Sequence, residues 1–206
     1  MSLPKAWVRE RKQDYYYRKA KEEKYRSRAA YKLLQAAKKY RFLRKGDIVV
    51  DLGTAPGGWL QASRKIVGDE GFVLGVDLKS IEPLEAANVH AIIGDITDSE
   101  MLNQVERFLP SLVDAVISDV SPNVSGVWEV DHARQIDLAR QSLTLALKLL
   151  KANGNFFVKV FQGDIFKGFV EEVRRHFARV EIIKPKASRA KSAEIFVLGM
   201  GFRKGK

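Results

Sequence analysis

The sequence predicts an α/β fold: a doubly wound, mostly parallel sheet of seven strands with helices on both faces. Three observations predict it. Short β-branched runs alternate with longer helical patterns after residue 46, the last two strands are separated by a short connection, and a glycine-rich turn follows the first strand. The 206 residues contain no internal repeat or long linker, so one such domain accounts for the chain after residue 46.

The predicted elements follow one another in regular order. We expect strands at 47–51, 72–77, 89–93, 113–119, 155–161, 179–184 and 194–202, and helices at 26–40, 58–67, 99–108, 130–151 and 165–177. Apolar residues recur at helical spacing in the longest helix, and Gly154 follows its predicted end, where a left-handed cap is common.

The last two strands are connected by residues 185–193, too few for the dozen or more residues of a helical crossover. They are therefore predicted to be antiparallel. A doubly wound sheet of six parallel strands with a reversed seventh is typical of Rossmann-like class I methyltransferases. The same feature distinguishes this chain from nicotinamide dehydrogenases.

The positive charge is concentrated at the N-terminus. Residues 1–45 contain sixteen Lys or Arg and four Asp or Glu, a net charge of +12, with all six tyrosines and Trp7, whereas residues 46–206 have a net charge of −1. Residues 184–206 form a second basic cluster. We expect 1–45 to be an RNA-contacting segment and 46–206 to be the catalytic domain. The alternative for the N-terminal segment is a solvated amphipathic helix whose tyrosines pack on the domain.

Several sequence features bear on location. No apolar run approaches the roughly 20 residues of a membrane span, the N-terminus lacks the apolar core of a signal peptide, and there is no cysteine for a disulfide. We expect a cytoplasmic protein that does not bind membranes.

The turn after the first strand departs from the dinucleotide pattern G-x-G-x-x-G, and Pro56 removes a backbone donor that a pyrophosphate would use. A cofactor without phosphates, S-adenosyl-L-methionine, fits it better. Asp77 and Asp95 close the second and third strands, where they can bind ribose hydroxyls and the adenine amino group, with Trp59 beside the purine. Either acid, taken alone, also fits a turn or a helix N-cap.

A second group of residues suggests a reactive site. Lys159 interrupts an otherwise apolar central strand, where a buried lysine must be paired or can act as a base; the alternative is an exposed strand end. Asp119 ends the neighbouring fourth strand, and Glu194 opens the reversed strand at the same sheet edge. Lys32, in the first predicted helix, is a candidate for the same crevice.

Five ordered motifs, at 27–33, 51–59, 118–123, 157–161 and 188–194, resemble the FtsJ/RrmJ family of RNA ribose 2′-O-methyltransferases, and the resemblance covers about residues 20–202. It implies a catalytic set made of Lys32, Asp119, Lys159 and Glu194. It also implies S-adenosyl-L-methionine binding, without a metal, by Gly57, Trp59, Asp77, Asp95 and Asp119.

In that family's chemistry a ribose 2′-hydroxyl must lose its proton as it attacks the methyl group. The resemblance implies Lys159 as proton acceptor, Asp119 orienting it, Lys32 steering the hydroxyl and Glu194 holding the arrangement. The compact length resembles the branch of the family that acts on ribosomal RNA, which implies a uridine of the large subunit as substrate. Alternatives are transfer RNA, an mRNA cap, a non-catalytic RNA-binding protein on the same fold, and a nicotinamide dehydrogenase.

Overall fold

The computed structural model describes residues 14–189 and 191–204. The strands in that part of the chain are β1 (Ile48–Leu52), β2 (Phe72–Asp77), β3 (Val89–Ile93), β4 (Val113–Ser118), β5 (Leu150–Phe161), β6 (Phe177–Ile183) and β7 (Glu194–Phe202). The helices are α1 (Tyr15–Glu22), α2 (Ala30–Tyr40), α3 (Gly58–Val67), α4 (Met101–Phe108), α5 (Trp128–Leu149) and α6 (Phe166–His176).

All seven strands form one sheet in the order β3-β2-β1-β4-β5-β7-β6. β1 pairs in parallel with both β2 and β4, so the strand order reverses at this point and opens a crevice at the carboxyl edge. β7 lies antiparallel between β5 and β6. The predicted class I arrangement, with its reversed last strand, is confirmed.

Alternating residues of the central strands supply two hydrophobic cores. Val50, Val116 and Phe156 face the core packed by α4, α5 and α6. Their neighbours in sequence, including Val49 and Phe157, face the core packed by α2 and α3. Because successive strand residues point to opposite faces, near-continuous apolar strands are covered by helices on both sides.

Predicted helix ends lie within two residues of the observed ones except at the start of the first helix of the domain. The first helix of the domain begins at Ala30 instead of residue 26. The amides of Ala30, Tyr31 and Lys32 each donate to the carbonyl of the third residue before them, so 27–32 form a tight turn that starts the helix. The predicted cap at Gly154 is wrong. α5 ends at Leu149 and β5 begins at the next residue, with the left-handed conformation at Asn153 (φ 65°), where the register with β4 shifts.

The described part of the N-terminal segment packs against the domain. α1 is capped by Asp14, whose side chain accepts a bond from the Tyr17 amide at 3.1 Å, and Ala20 is buried with Tyr31 and Ala187. RNA contact by residues 1–45 stays a prediction, and Trp7 lies outside the described residues. No helix in the described part of the chain is both long and apolar enough to span a membrane.

Candidate active site

A cleft of about 450 Å³ opens at the carboxyl edge of the sheet. Its walls come from the ends of four adjacent strands, through Gly53 after β1, Asp77 in β2, Asp95 after β3 and Asp119 after β4. Three of the acids predicted to bind the cofactor therefore line one cavity. The switch in strand order leaves this space free, because the connections after β1 and β4 run to opposite faces of the sheet.

Two glycines allow the turn after β1 to follow its path. Gly53 has a φ of +76°, and a Cβ there would lie 2.8 Å from the Val120 backbone, which closes on it from the neighbouring strand end. Gly57 has a φ of +104°, and a Cβ there would meet the Arg26 guanidinium at 2.8 Å. A side chain at either position would thus strain the turn, and at Gly53 it would also clash with the Val120 backbone.

Asp77 is held in a defined orientation at the end of β2. One carboxylate oxygen accepts the Ala55 amide at 2.8 Å, and the other accepts the Lys79 amide at 2.9 Å. The side chain is half-buried and lines the cleft, so its remaining lone pairs can accept further bonds from a ligand.

Asp95 follows β3, where its side chain forms a turn and also faces the cleft. Its Oδ1 accepts the Thr97 amide at 2.9 Å and the Thr97 hydroxyl at 2.7 Å, and the backbone bond is the main cause that lowers the pKa of Asp95 below its ordinary value. It is therefore a turn residue that also presents a carboxylate to the cleft.

Leu78 lines the same cleft with 67% of its surface exposed. Sequence reasoning missed it. The available signal was a large apolar residue placed directly after the acid that closes a buried strand.

The strongest electrostatic perturbation at this edge is at Asp51, in β1. The side chain is fully buried, and burial raises its pKa to about 8; the charges of Asp119 and Asp77 act in the same direction, while the bond from Thr54 acts against it. Thr54 Oγ1 donates to Asp51 Oδ2 at 2.6 Å. Three carboxyl groups thus lie close enough to repel one another, an arrangement that favours a cationic ligand.

Lys159 and Asp119 form a close pair between the ends of β5 and β4. The Lys159 Nζ is 2.8 Å from the Asp119 backbone oxygen and 3.2 Å from its carboxylate Oδ1. The lysine side chain is 6% exposed, so this is a buried pair. The alternative of a lysine at an exposed strand end does not hold.

Lys32 and Glu194 form a second pair, between α2 and the first residue of β7. Lys32 Nζ is 2.7 Å from Glu194 Oε2, and the Ser188 hydroxyl donates to Glu194 Oε1 at 2.9 Å. Both carboxylate oxygens therefore have a partner, and the pair ties α2 to the reversed strand.

Phe196 joins the two pairs. It lies directly opposite Lys159 in the β5–β7 ladder, two residues after Glu194, and its ring centroid is 5.7 Å from Lys32 Nζ. Lys159, Glu194 and Phe196 share one face of the sheet by strand alternation. The structure thus brings the four residues of the predicted catalytic set to one corner of the carboxyl edge.

Two predicted cofactor residues are not among those lining the cleft. Trp59 is 2% exposed, donates its Nε1–H to the Ala29 oxygen at 2.8 Å and stacks on Phe157 at 5.6 Å. The indole is therefore part of the core beneath α3, so the position predicted for it, beside a purine in this cleft, is not found. Gly57 precedes α3, whose first backbone N–H groups have no partner within the helix.

Sequence reasoning also missed Gln135 of α5. Its buried amide donates to the backbone oxygens of Val120 and Lys159, both at 3.1 Å, and so clamps the ends of β4 and β5 together. A polar residue beside Ile136 in the apolar stripe of a buried helix was the signal available. Within residues 14–189 and 191–204, no three His, Cys, Asp or Glu side chains are grouped so that they could hold a metal ion.

Comparison with known proteins gives a consistent result. Residues 25–202 match the model of the FtsJ-like methyltransferase family. Among curated relatives, the ribosomal RNA large subunit methyltransferase E of Methanococcus aeolicus is 53% identical over 96% of this chain and 74% of its own length. The protein of the same name from Methanothermobacter thermautotrophicus is 46% identical over 98% of this chain and 95% of its own.

Solved structures agree on the fold. A protein from Plasmodium falciparum, described as a ribosomal RNA methyltransferase, superposes with a TM-score of 0.77 at 28% identity, over 86% of this chain and 98% of that one. Fibrillarin from Aeropyrum pernix, solved with S-adenosyl-L-methionine, superposes with a TM-score of 0.54 at 18% identity, over 85% and 75% of the two chains.

Proposed function

Because this chain belongs to the FtsJ-like methyltransferase family, we propose that it methylates a ribose 2′-hydroxyl of RNA with S-adenosyl-L-methionine as methyl donor. The observation that carries the proposal is the position of Asp119. Asp119 lines the 450 Å³ cleft and also contacts the buried Lys159 amine, so the candidate cofactor site and the candidate base share one residue.

The groups that line the cleft match the chemistry of this cofactor. Asp77 and Asp95 would accept bonds from the ribose hydroxyls and the adenine amino group, and Leu78 offers an apolar surface to the purine. The Asp119 carboxylate, which lines the cleft, supplies negative charge for a sulfonium. Trp59 would contribute its backbone N–H at the start of α3, which suits a carboxylate. The Gly57 N–H already donates to the Thr54 oxygen at 2.6 Å, so Gly57 would contribute by letting the turn approach the ligand closely.

Bound S-adenosyl-L-methionine supplies an electrophilic methyl group. The proposed task of Lys159 is to accept the proton of the attacking hydroxyl. An uncharged amine has two N–H bonds and one lone pair. One N–H donates to the Asp119 carbonyl, the other would turn to the Asp119 carboxylate oxygen 3.2 Å away, and the lone pair would be left for that proton. Lys32, anchored by Glu194, keeps further N–H groups with which to hold the hydroxyl oxygen.

A basic cleft of about 570 Å³ provides a path for the RNA backbone. It lies between the last turn of α2 and the edge strand β6. Among the described residues that line it, four are lysines and none is acidic: Lys38, Lys39, Lys184 and Lys186. Since Lys32 is in the first turn of the same helix, RNA phosphates held here would place the chain along α2 toward the candidate active site.

The substrate we propose is a uridine of large-subunit ribosomal RNA, within the ribosomal subunit. The names of the curated relatives, which match nearly all of this chain, favour ribosomal RNA over transfer RNA. Mapping of 2′-O-methyl groups in both RNAs from a deletion strain tests this. Loss of a methyl group from transfer RNA alone would move the assignment to transfer RNA.

The reaction is tested with Lys159→Met, which keeps the aliphatic stem and removes the amine. We expect methyl transfer to large-subunit RNA to fall by about 100- to 10,000-fold, the usual contribution of a positioned base, while cofactor affinity changes little. Lys148→Met, at an exposed position in the last turn of α5, is the matched control. Appreciable transfer by Lys159→Met would remove this lysine as the base. A parent protein that binds the cofactor but methylates no RNA would overturn the function.

A further inference from the structure

A group of exposed apolar side chains lies around the start of α5, beside the loop of residues 119–127 that follows β4. Trp128 is 44% exposed at the start of α5, and the nearby Val124, Val127, Val130 and Ile165 are also exposed. The proposed reaction gives none of them a role. An exposed apolar surface of this kind beside an active site is typical of a binding site for a ligand or a partner molecule.

Trp128 is held in a fixed position. Its indole stacks on His132, one helical turn later, with ring centroids 5.6 Å apart and planes at 8°. Phe161 of β5 stacks with it at 6.1 Å and 24°. An exposed indole supported by two other rings loses little conformational freedom when a further ring stacks on it.

The supporting residues are themselves fixed. His132 is buried, accepts the Ile165 amide at 3.3 Å and lies so close to Gly163 that a Cβ there would come within 2.7 Å of the imidazole. Asp131 accepts the Ser125 amide at 2.7 Å and the Gly126 amide at 3.0 Å, and the Ser125 bond is the main cause that lowers its pKa. The loop before α5 is therefore preorganised.

The aromatic group is continuous with the candidate active site. Phe161 is two residues beyond Lys159 on β5 and lies directly opposite Glu194 in the ladder with β7. Trp128, His132 and Gln135 follow one another along one face of α5, and Gln135 binds the Lys159 carbonyl. A nucleotide whose hydroxyl reaches Lys159 thus has this aromatic surface beside it.

We propose that Trp128 is a stacking platform for an unpaired base of the RNA substrate, at or next to the nucleotide that is methylated. This rests on the proposed function. Single-stranded RNA is recognised largely by stacking of its splayed bases on aromatic side chains, and a rigid tryptophan next to the reacting hydroxyl suits that role. The basic cleft beyond α2 holds phosphates, whereas this surface holds a base.

The test compares Trp128→Ala, Trp128→Phe and the control Phe108→Ala, which removes an exposed aromatic residue from α4. Binding is measured with a short single-stranded RNA that contains 2-aminopurine, and methyl transfer with large-subunit RNA. We expect Trp128→Ala to weaken RNA binding by roughly 5- to 150-fold and to abolish the quenching of 2-aminopurine. Trp128→Phe should retain most of both, and cofactor affinity should be equal in all three variants.

Other outcomes of this test distinguish failure of the stacking inference from failure of the proposed function. If the parent methylates RNA and Trp128→Ala binds and methylates it equally well, the platform is refuted and the proposed function stands. If Trp128→Ala is impaired only on assembled large subunits and not on free RNA, the surface contacts a protein and the inference is wrong. If the parent neither binds nor methylates RNA, both proposals fall together. Equal losses in Trp128→Phe and Trp128→Ala would also refute stacking.

Discussion

Replacing Asp51 by asparagine gives the most direct test of the electrostatics at the carboxyl edge. The carboxyl group is fully buried at the end of β1, with one oxygen bonded to Thr54 Oγ1. Burial, reinforced by Asp119 and Asp77, raises its pKa to about 8. Asparagine has nearly the same shape and can still accept the Thr54 bond, but it does not titrate.

The magnitude follows from the difference in pKa between folded and unfolded protein. An aspartate in an unfolded chain loses its proton near about pH 3.9, whereas folded Asp51 keeps it to about pH 8. Between these values the folded state holds one more proton, so the free energy of unfolding falls as the pH rises, by about 1.4 kcal/mol per pH unit. Over about two pH units, the titration of Asp51 therefore lowers the free energy of unfolding by about 3 kcal/mol.

The assay is urea unfolding of the cofactor-free parent and of Asp51→Asn at several values between about pH 5 and about pH 7. As the pH rises across that range, we expect the free energy of unfolding of Asp51→Asn, relative to that of the parent, to increase by about 3 kcal/mol. Asp69→Asn, whose side chain is 92% exposed, is the control and should follow the parent. Parallel curves for the parent and Asp51→Asn would refute the reasoning, because they would mean that the folded protein already holds Asp51 ionised.

Three further outcomes are expected. Asp77→Asn keeps the size of the side chain, removes its charge and leaves an acceptor for only one of the two backbone amides, so calorimetry should show S-adenosyl-L-methionine affinity about ten- to a hundredfold lower; an unchanged affinity would exclude Asp77 from the site. Replacing Lys38, Lys39 and Lys186 by glutamine should reduce the salt dependence of RNA binding by about 2 in slope, at constant cofactor affinity, and an unchanged slope would place the phosphates elsewhere. Deleting residues 1–13, with a net charge of +3, should likewise lower RNA affinity and its slope; equal binding with and without them would leave RNA recognition to the rest of the chain.

Local patterns in the sequence determined most of the secondary structure and which residues lie at the carboxyl edge of the sheet. Three strands and α3 have the predicted bounds, because apolar runs limited by turn residues report burial directly. Asp77 and Asp95 could be predicted to lie at one cleft because they end successive strands, and parallel strands end at one edge. The short connection before Glu194 required a reversed strand on chain length alone.

Tertiary structure decided the contacts between residues distant in sequence. Lys32 and Glu194 are 162 positions apart, and their bond depends on how α2 packs across β7. Trp59 is apolar and near the cofactor turn in sequence, yet the space beneath α3 holds its indole against Phe157. Gly154 fits a cap by composition, but Asn153 takes the left-handed conformation inside β5. Periodicity specifies which face a side chain occupies; the sheet order and the helix packing specify what it meets there.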